Sequence, residues 1–187
     1  MPISPAAERT LLHTRRVDAF GYRRTDGLWD IEAVLTDVKS VPYANLDKGE
    51  VPPGEFLHSM AVRVTIDVDF LIHRIEAAID RAPFTACPDV AGQFSQLTGM
   101  RLGSDFLEVV EDMFGGHKGC THLNELVPVV ITTAYQTLWA TREAKEAARP
   151  DRKKPAVIDG CHALKGDGKV VALHWPQFAE TSKDKAS

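Results

Sequence analysis

The segment Leu28 to Ser40, LWDIEAVLTDVKS, alternates apolar and polar side chains. Trp29, Ile31, Ala33 and Leu35 fall on one face and Asp30, Glu32 and Thr36 on the other, the period of two that a half-buried β-strand requires. Toward the N-terminus, residues 10–22 (TLLHTRRVDAFGY) carry the same alternation, and Thr25-Asp26-Gly27 lies between the two runs. Asp-Gly in that position signals a hairpin. In the other direction, residues 41–56 hold Pro42, Gly49, Pro52, Pro53 and Gly54 and read as a loop. Its length is unusual for a compact domain, and long ordered loops often carry function.

Beyond the loop Met60, Val62, Val64 and Ile66 alternate, Asp67-Val68-Asp69 suits a turn, and Leu71 to Ile79 resumes an apolar pattern. This predicts a second hairpin, running into a helical turn at Ile75–Ile79. Together the hairpins make one antiparallel sheet with a single buried face. After Pro83 the pattern becomes helical. Pro88-Asp89 opens a short helix ending near Gly99, with Val90, Phe94 and Leu97 on one side. Ser104-Asp105 opens a second, carrying Phe106, Val109, Val110 and Met113 and stopped by Gly115-Gly116. Leu123, Leu126, Val127, Val130, Ile131, Ala134 and Leu138 form the apolar stripe of a third, longer helix with Thr121 as its N-cap. The segments AVIDGCHAL and KVVALHWP flank Lys165-Gly166-Asp167-Gly168 and predict a closing hairpin. The expected fold is α+β: an antiparallel sheet from N-terminal hairpins, three helices packed on it and a C-terminal hairpin, in one domain over residues 1–178 with a polar tail at 179–187.

The 187 residues suit a real core, and 44% hydrophobic with 26% charged residues is ordinary for a soluble globular chain. A formal charge of −4 gives no electrostatic reason to expect nucleic acid, and no apolar run is long enough to span a bilayer. The N-terminus lacks the apolar centre of a signal peptide, so the expected location is the cytoplasm. Cys87, Cys120 and Cys161 are odd in number and far apart, which points to buried, metal-bound or reactive thiols rather than a disulfide framework.

The stretch GGHKGCTHLNEL, residues 115–126, concentrates the chemistry-bearing side chains. Cys120 stands just before a helix N-terminus, where unpaired N–H groups and the helix dipole favour a thiolate. His117 and His122 flank it as metal ligands or proton shuttles, and Glu125 is one turn from His122, placed to orient its imidazole. The same residues also read as an ornate helix junction, its glycines ending one helix and starting the next, with a buried thiol and exposed imidazoles. The spacing alone leaves both readings open. His58 shares the Met60/Val62/Val64 face, as a core histidine or a site residue. Arg63, on the other face, suits an anionic ligand or a solvated ion pair. Asp30 and Glu32 share a strand face, and Cys87 sits in the rigid turn PFTACP. No P-loop, dinucleotide fingerprint, nucleophile elbow or HExxH helix is present.

Six segments in order, DGLWDIEAVLTDVK (26–39), LHSMAVRVTID (57–67), APFTACPDV (82–90), LTGMRLGSDF (97–106), GGHKGCTHLNEL (115–126) and DGCHAL (159–164), resemble the bacterial family called domain of unknown function 2889. That resemblance carries no established activity. A looser one is to the NifU-like iron–sulfur scaffold proteins, in which an acidic strand residue, a cysteine before a helix and a His-Cys pair opening the last long helix correspond to Asp30, Cys87 and the His117/Cys120/His122 group. The scaffold's first cysteine has no counterpart near Leu28, and its adjacent His-Cys pair is absent.

The expectation is a small soluble enzyme acting on a small carboxylate or acyl compound, with a small-molecule ligand and no nucleic-acid or membrane partner. Its catalytic candidates are Cys120, His122, Glu125, His58 and Arg63. Its metal candidates are Cys87, His117, Cys120, His122 and Asp30, a thiolate and imidazole set that fits zinc or iron best. The alternative is a metal- or iron–sulfur-handling accessory protein.

Overall fold

The structure is a computed structural model that describes residues 4–151 and 153–180. The polar tail expected at 179–187 lies, from residue 181 on, outside the described residues. Two compact units divide the chain, Met1–Arg142 and Glu143–Ser187.

In the first unit, strands β1 (His13–Arg23), β2 (Trp29–Lys39), β3 (Phe56–Ile66) and β4 (Ile72–Arg81) form an antiparallel sheet in the order β1-β2-β3-β4. The alternation read from the sequence is the one that packs. Trp29, Ile31, Ala33 and Leu35 are buried, and their cross-strand partners on β3 are Ile66, Val64, Val62 and Met60, also buried. The helical turn expected at Ile75–Ile79 does not form, because β4 continues as strand to Arg81. Its pairing with β3 skips a residue at His73, since Thr65 faces Arg74 while Ile66 faces Ile72. That bulge puts Ile72 and Ile75 on the same buried face and so imitates a helical spacing of three.

Helices cover this face. A run of 3-10 turns at Cys87–Leu97 buries Phe94 and Leu97, α1 (Phe106–Phe114) buries Phe106, Val110 and Phe114, and α2 spans Thr121–Ala147. Thr121 is the first residue of α2 rather than its cap, and the Asn124 N–H donates to the Cys120 carbonyl. Leu123, Leu126, Val127, Val130, Ala134 and Leu138 are buried against the sheet. Each such aliphatic side chain contributes about 1.5–3 kcal/mol over exposure, so packing rather than the cap fixes the position of α2. The approach is close at Gly21 on β1, where an added Cβ would stand 1.8 Å from Thr137 Oγ1 and 2.8 Å from its Cβ. Near its other end Arg142 donates to the Val68 carbonyl and lies 4.3 Å over the Phe70 ring. The helix therefore runs from the β2–β3 loop end of the sheet to the β3–β4 turn. No helix among the described residues is long and apolar enough to cross a membrane.

In the second unit the predicted hairpin is absent. A 3-10 turn at His162–Leu164, helix α3 (Lys169–His174) and a 3-10 turn at Pro176–Phe178 stand in its place. Val171 and Trp175, four apart and joined by a 2.8 Å N–H···O bond, lie on one helical side and pack with Ile158. The alternation of KVVALHW mimics a strand, yet its large buried residues fit the helical period. The LKGDG turn satisfies itself locally, with Gly166 N–H donating to Asp159 and Gly168 N–H to the Lys165 carbonyl.

Candidate functional site

The apolar face of β2 does not end at Leu35. Two residues on, Asp37 continues the same phase, and its side chain is 1% exposed. Arg15 of β1 lies directly opposite it on one side and His58 of β3 on the other, so three adjacent strands place a guanidinium, a carboxylate and an imidazole in one row. His13 points from the neighbouring position of β1. The first turn of α2 closes over the row with His122 and Glu125, three residues apart on one face.

A buried carboxylate persists only if its lone pairs are used. Asp37 Oδ1 accepts from Arg15 Nε and His13 Nε2, each at 2.9 Å. Its Oδ2 accepts from Arg15 Nη2 at 2.7 Å and His58 Nδ1 at 2.9 Å, with His122 Nε2 at 4.0 Å. The remaining amino group of Arg15 is paired with Glu125. An ionised carboxylate only accepts, so His58 Nδ1 and His13 Nε2 donate to it. The His58 and His122 rings lie 4.0 Å apart, tilted by 34°.

Burial pushes the Asp37 carboxyl up, but the hydrogen bonds from Arg15 and His13, together with Arg15's charge, outweigh it and hold Asp37 well below the usual carboxylate range. Burial lowers His58, and the neighbouring His122 lowers it further, against the partial compensation of Asp37. The hydrogen bond to Asp37 raises Arg15. Apart from its imidazoles the cluster holds two carboxylates and one guanidinium. That balance suits a cation better than an anion.

The loop that delivers α2 is fixed from below. The Phe114 carbonyl accepts from Asn124 Nδ2 at 2.9 Å, and an added Cβ at Gly119 would stand 2.4 Å from that oxygen. Glycine at 119 lets the chain pass over Phe114 and start the helix with His122 above Asp37.

Of the residues singled out from the sequence, His58, His122 and Glu125 come together. Cys120 stands beside them without joining, its half-buried Sγ 3.9 Å from Met60 Sδ. Cys87 packs, half-buried, against the apolar core, and His117 is exposed in a 3-10 turn. Asp30 is seven residues from Asp37 on the opposite face of β2, about 23 Å along the strand, where it accepts from Thr65 Oγ1 at 2.7 Å and Arg24 Nη1 at 3.2 Å. Arg63 is on that outer face too, bonded to Glu32 at 2.7 Å and 4.0 Å from Glu76, so its fork already faces two carboxylates. Cys161 is exposed in the second unit. Among the described residues, Asp37, His58 and His122 alone form a group of three able to hold an ion, with one ligand atom from each within 4.8 Å of the others.

Asp37, His13 and Arg15 escaped the sequence analysis. Extending the Trp29–Leu35 alternation by one step puts a carboxylate on the buried face, a detectable anomaly. Arg15 and His13 then follow from the hairpin register.

Sheet, covering helix and buried carboxylate–histidine cluster define an α+β protein with a polar site at one end of its core. The chain belongs to the family described as protein of unknown function DUF2889, whose model matches residues 13–136 and so includes every member of the cluster. No curated protein and no solved structure matches the chain, and the NifU-like likeness rests on the sequence pattern alone.

Proposed function

We propose that the protein is a metal-dependent enzyme acting on a small carboxylate or acyl compound, with zinc or iron held by Asp37, His58 and His122. The convergence of these three side chains at the partly open end of the core carries the reading. Asp37 Oδ2 lies 2.9 Å from His58 Nδ1 and 4.0 Å from His122 Nε2. Ligands about 2.0–2.2 Å from a common ion can stand at both separations. The ion would replace the proton that His58 shares with Asp37, while Arg15 and His13 stay bonded to the other lone pairs and orient the carboxylate. Two histidines and one carboxylate leave coordination positions for water and substrate, the pattern of a catalytic rather than a closed structural site. A cation there would polarise an acyl or carboxylate oxygen.

Metal analysis of untagged protein tests this. About one zinc or iron per chain is expected, falling at least tenfold in His122→Ala with the fold retained by circular dichroism. A wild-type protein with under about a tenth of an equivalent, whose melting temperature does not rise with added Zn²⁺ or Fe²⁺, would end the proposal. Metal carriage is the second reading, favoured by the Cys120–Met60 sulfur pair beside the ligands. Transfer of the bound ion to an acceptor without metal-dependent turnover of acyl or carboxylate compounds would establish it instead.

A further inference from the structure

The two edges of the sheet are finished differently. At the start of β4, Ile72 N–H donates to the Met100 carbonyl and Gly99 N–H to the Ile72 carbonyl, and just before the strand Leu102 N–H donates to the Phe70 carbonyl. The β4 register also shifts twice against β3, and its exposed positions carry His73, Arg74, Glu76 and Arg81. These are the devices by which a strand edge is kept from pairing. The β1 edge carries charge too, at Arg15, Arg16, Asp18 and Arg23, but among the described residues no backbone hydrogen bond covers it and its register does not shift. It runs eleven residues without a proline, a lysine or a register shift, and ten of the eleven are exposed. Leu12, Val17, Phe20 and Tyr22 stand 59%, 41%, 47% and 48% exposed along it.

We infer that β1 pairs with β1 of a second copy of this chain, antiparallel about a twofold axis at Val17, to make a continuous eight-stranded sheet. The sequence of the strand selects that partner. With Val17 opposite Val17, the outer-face side chains meet as Arg16 with Asp18, Thr14 with Phe20 and Leu12 with Tyr22, each pair occurring twice. Both charges are matched, both aromatics meet a side chain of lower polarity than water, and no like charges face each other. Within its own chain Arg16 stands opposite Thr36 and Asp18 opposite Val34, so neither has a charged cross-strand partner on β2. A symmetric contact of this kind closes on itself and leaves β4, covered at its start and irregular in register, as the outer edge of the dimer.

Sedimentation velocity with light scattering, from about 1 to 200 μM, reads the association, a range chosen because strand pairing alone buries less than a standard interface. A dimer is expected for the wild type. Arg16→Asp and Asp18→Arg each oppose like charges twice across the axis and are expected to weaken it about tenfold or more. The double variant R16D/D18R restores opposite charges and is expected to recover most of the affinity. Both positions are exposed and on the face away from Asp37, so circular dichroism and metal content should not change. A monomeric wild type throughout this range overturns the inference. So does a dimer insensitive to both single variants, which would use another surface, or a double variant no better than the singles.

Discussion

Asp37→Ala is expected to lower the unfolding free energy by about 3 kcal/mol, near the bottom of the range for breaking a buried ion pair. The substitution removes the acceptor of four hydrogen bonds at once. Arg15 and His13, with side chains 34% and 39% exposed, can recover water, whereas His58 at 11% largely cannot. Asp37→Asn keeps the shape but turns an –NH₂ donor toward other donors, and about 2 kcal/mol is expected. Urea denaturation at pH 8 measures both, and a loss under about 1 kcal/mol for Asp37→Ala would mean that solvent already serves the network.

The same residues set the acid response. The native pKa of Asp37 lies below its unfolded value of about 3.9, so its contribution is complete above that pH and disappears as pH falls toward the native value. His58 is also lowered in the native state. The unfolded chain therefore takes up that proton first, and stability declines as pH drops below about 6.5, by at most about 1.4 kcal/mol per pH unit. Two successive losses are expected in a pH series of urea melts, with the lower one absent in Asp37→Asn. A flat profile between pH 7 and 5 would contradict the burial of a neutral His58.

Phe114→Ala is the second large effect, about 3–5 kcal/mol for a buried aromatic. Phe114 is 2% exposed, and its ring stacks on Phe94 at 5.0 Å with a 14° interplanar angle. It is also the floor beneath the turn that positions His122, through its carbonyl bond to Asn124 and the close passage of Gly119. Weaker metal retention should accompany the stability loss. Phe94→Ala should cost similar stability with a smaller effect on metal, because the close contacts of Gly119 and Asn124 are with Phe114. Equal metal loss in the two variants would assign the effect to general loosening of the core.

The sheet was legible in the sequence because its two central strands each have one buried face, and a period of two survives in the order of residues from Trp29 to Leu35 and from Met60 to Ile66. Helix α2 was legible for the matching reason, a stripe at helical period. The bulge at His73 and the Val171/Trp175 helix were misread because a short run of apolar residues fits either period until its partners are known. Half of the candidate site was visible, His58 by its phase and His122 with Glu125 by their spacing of three. That Asp37 rather than Asp30 is the carboxylate beside them was decided by the tertiary structure. Side chains meet through strand register and the helix laid across it, so Arg15, Asp37, His58 and His122 converge across 107 residues of chain while Cys87, His117 and Asp30, equally suited in chemistry, are carried elsewhere.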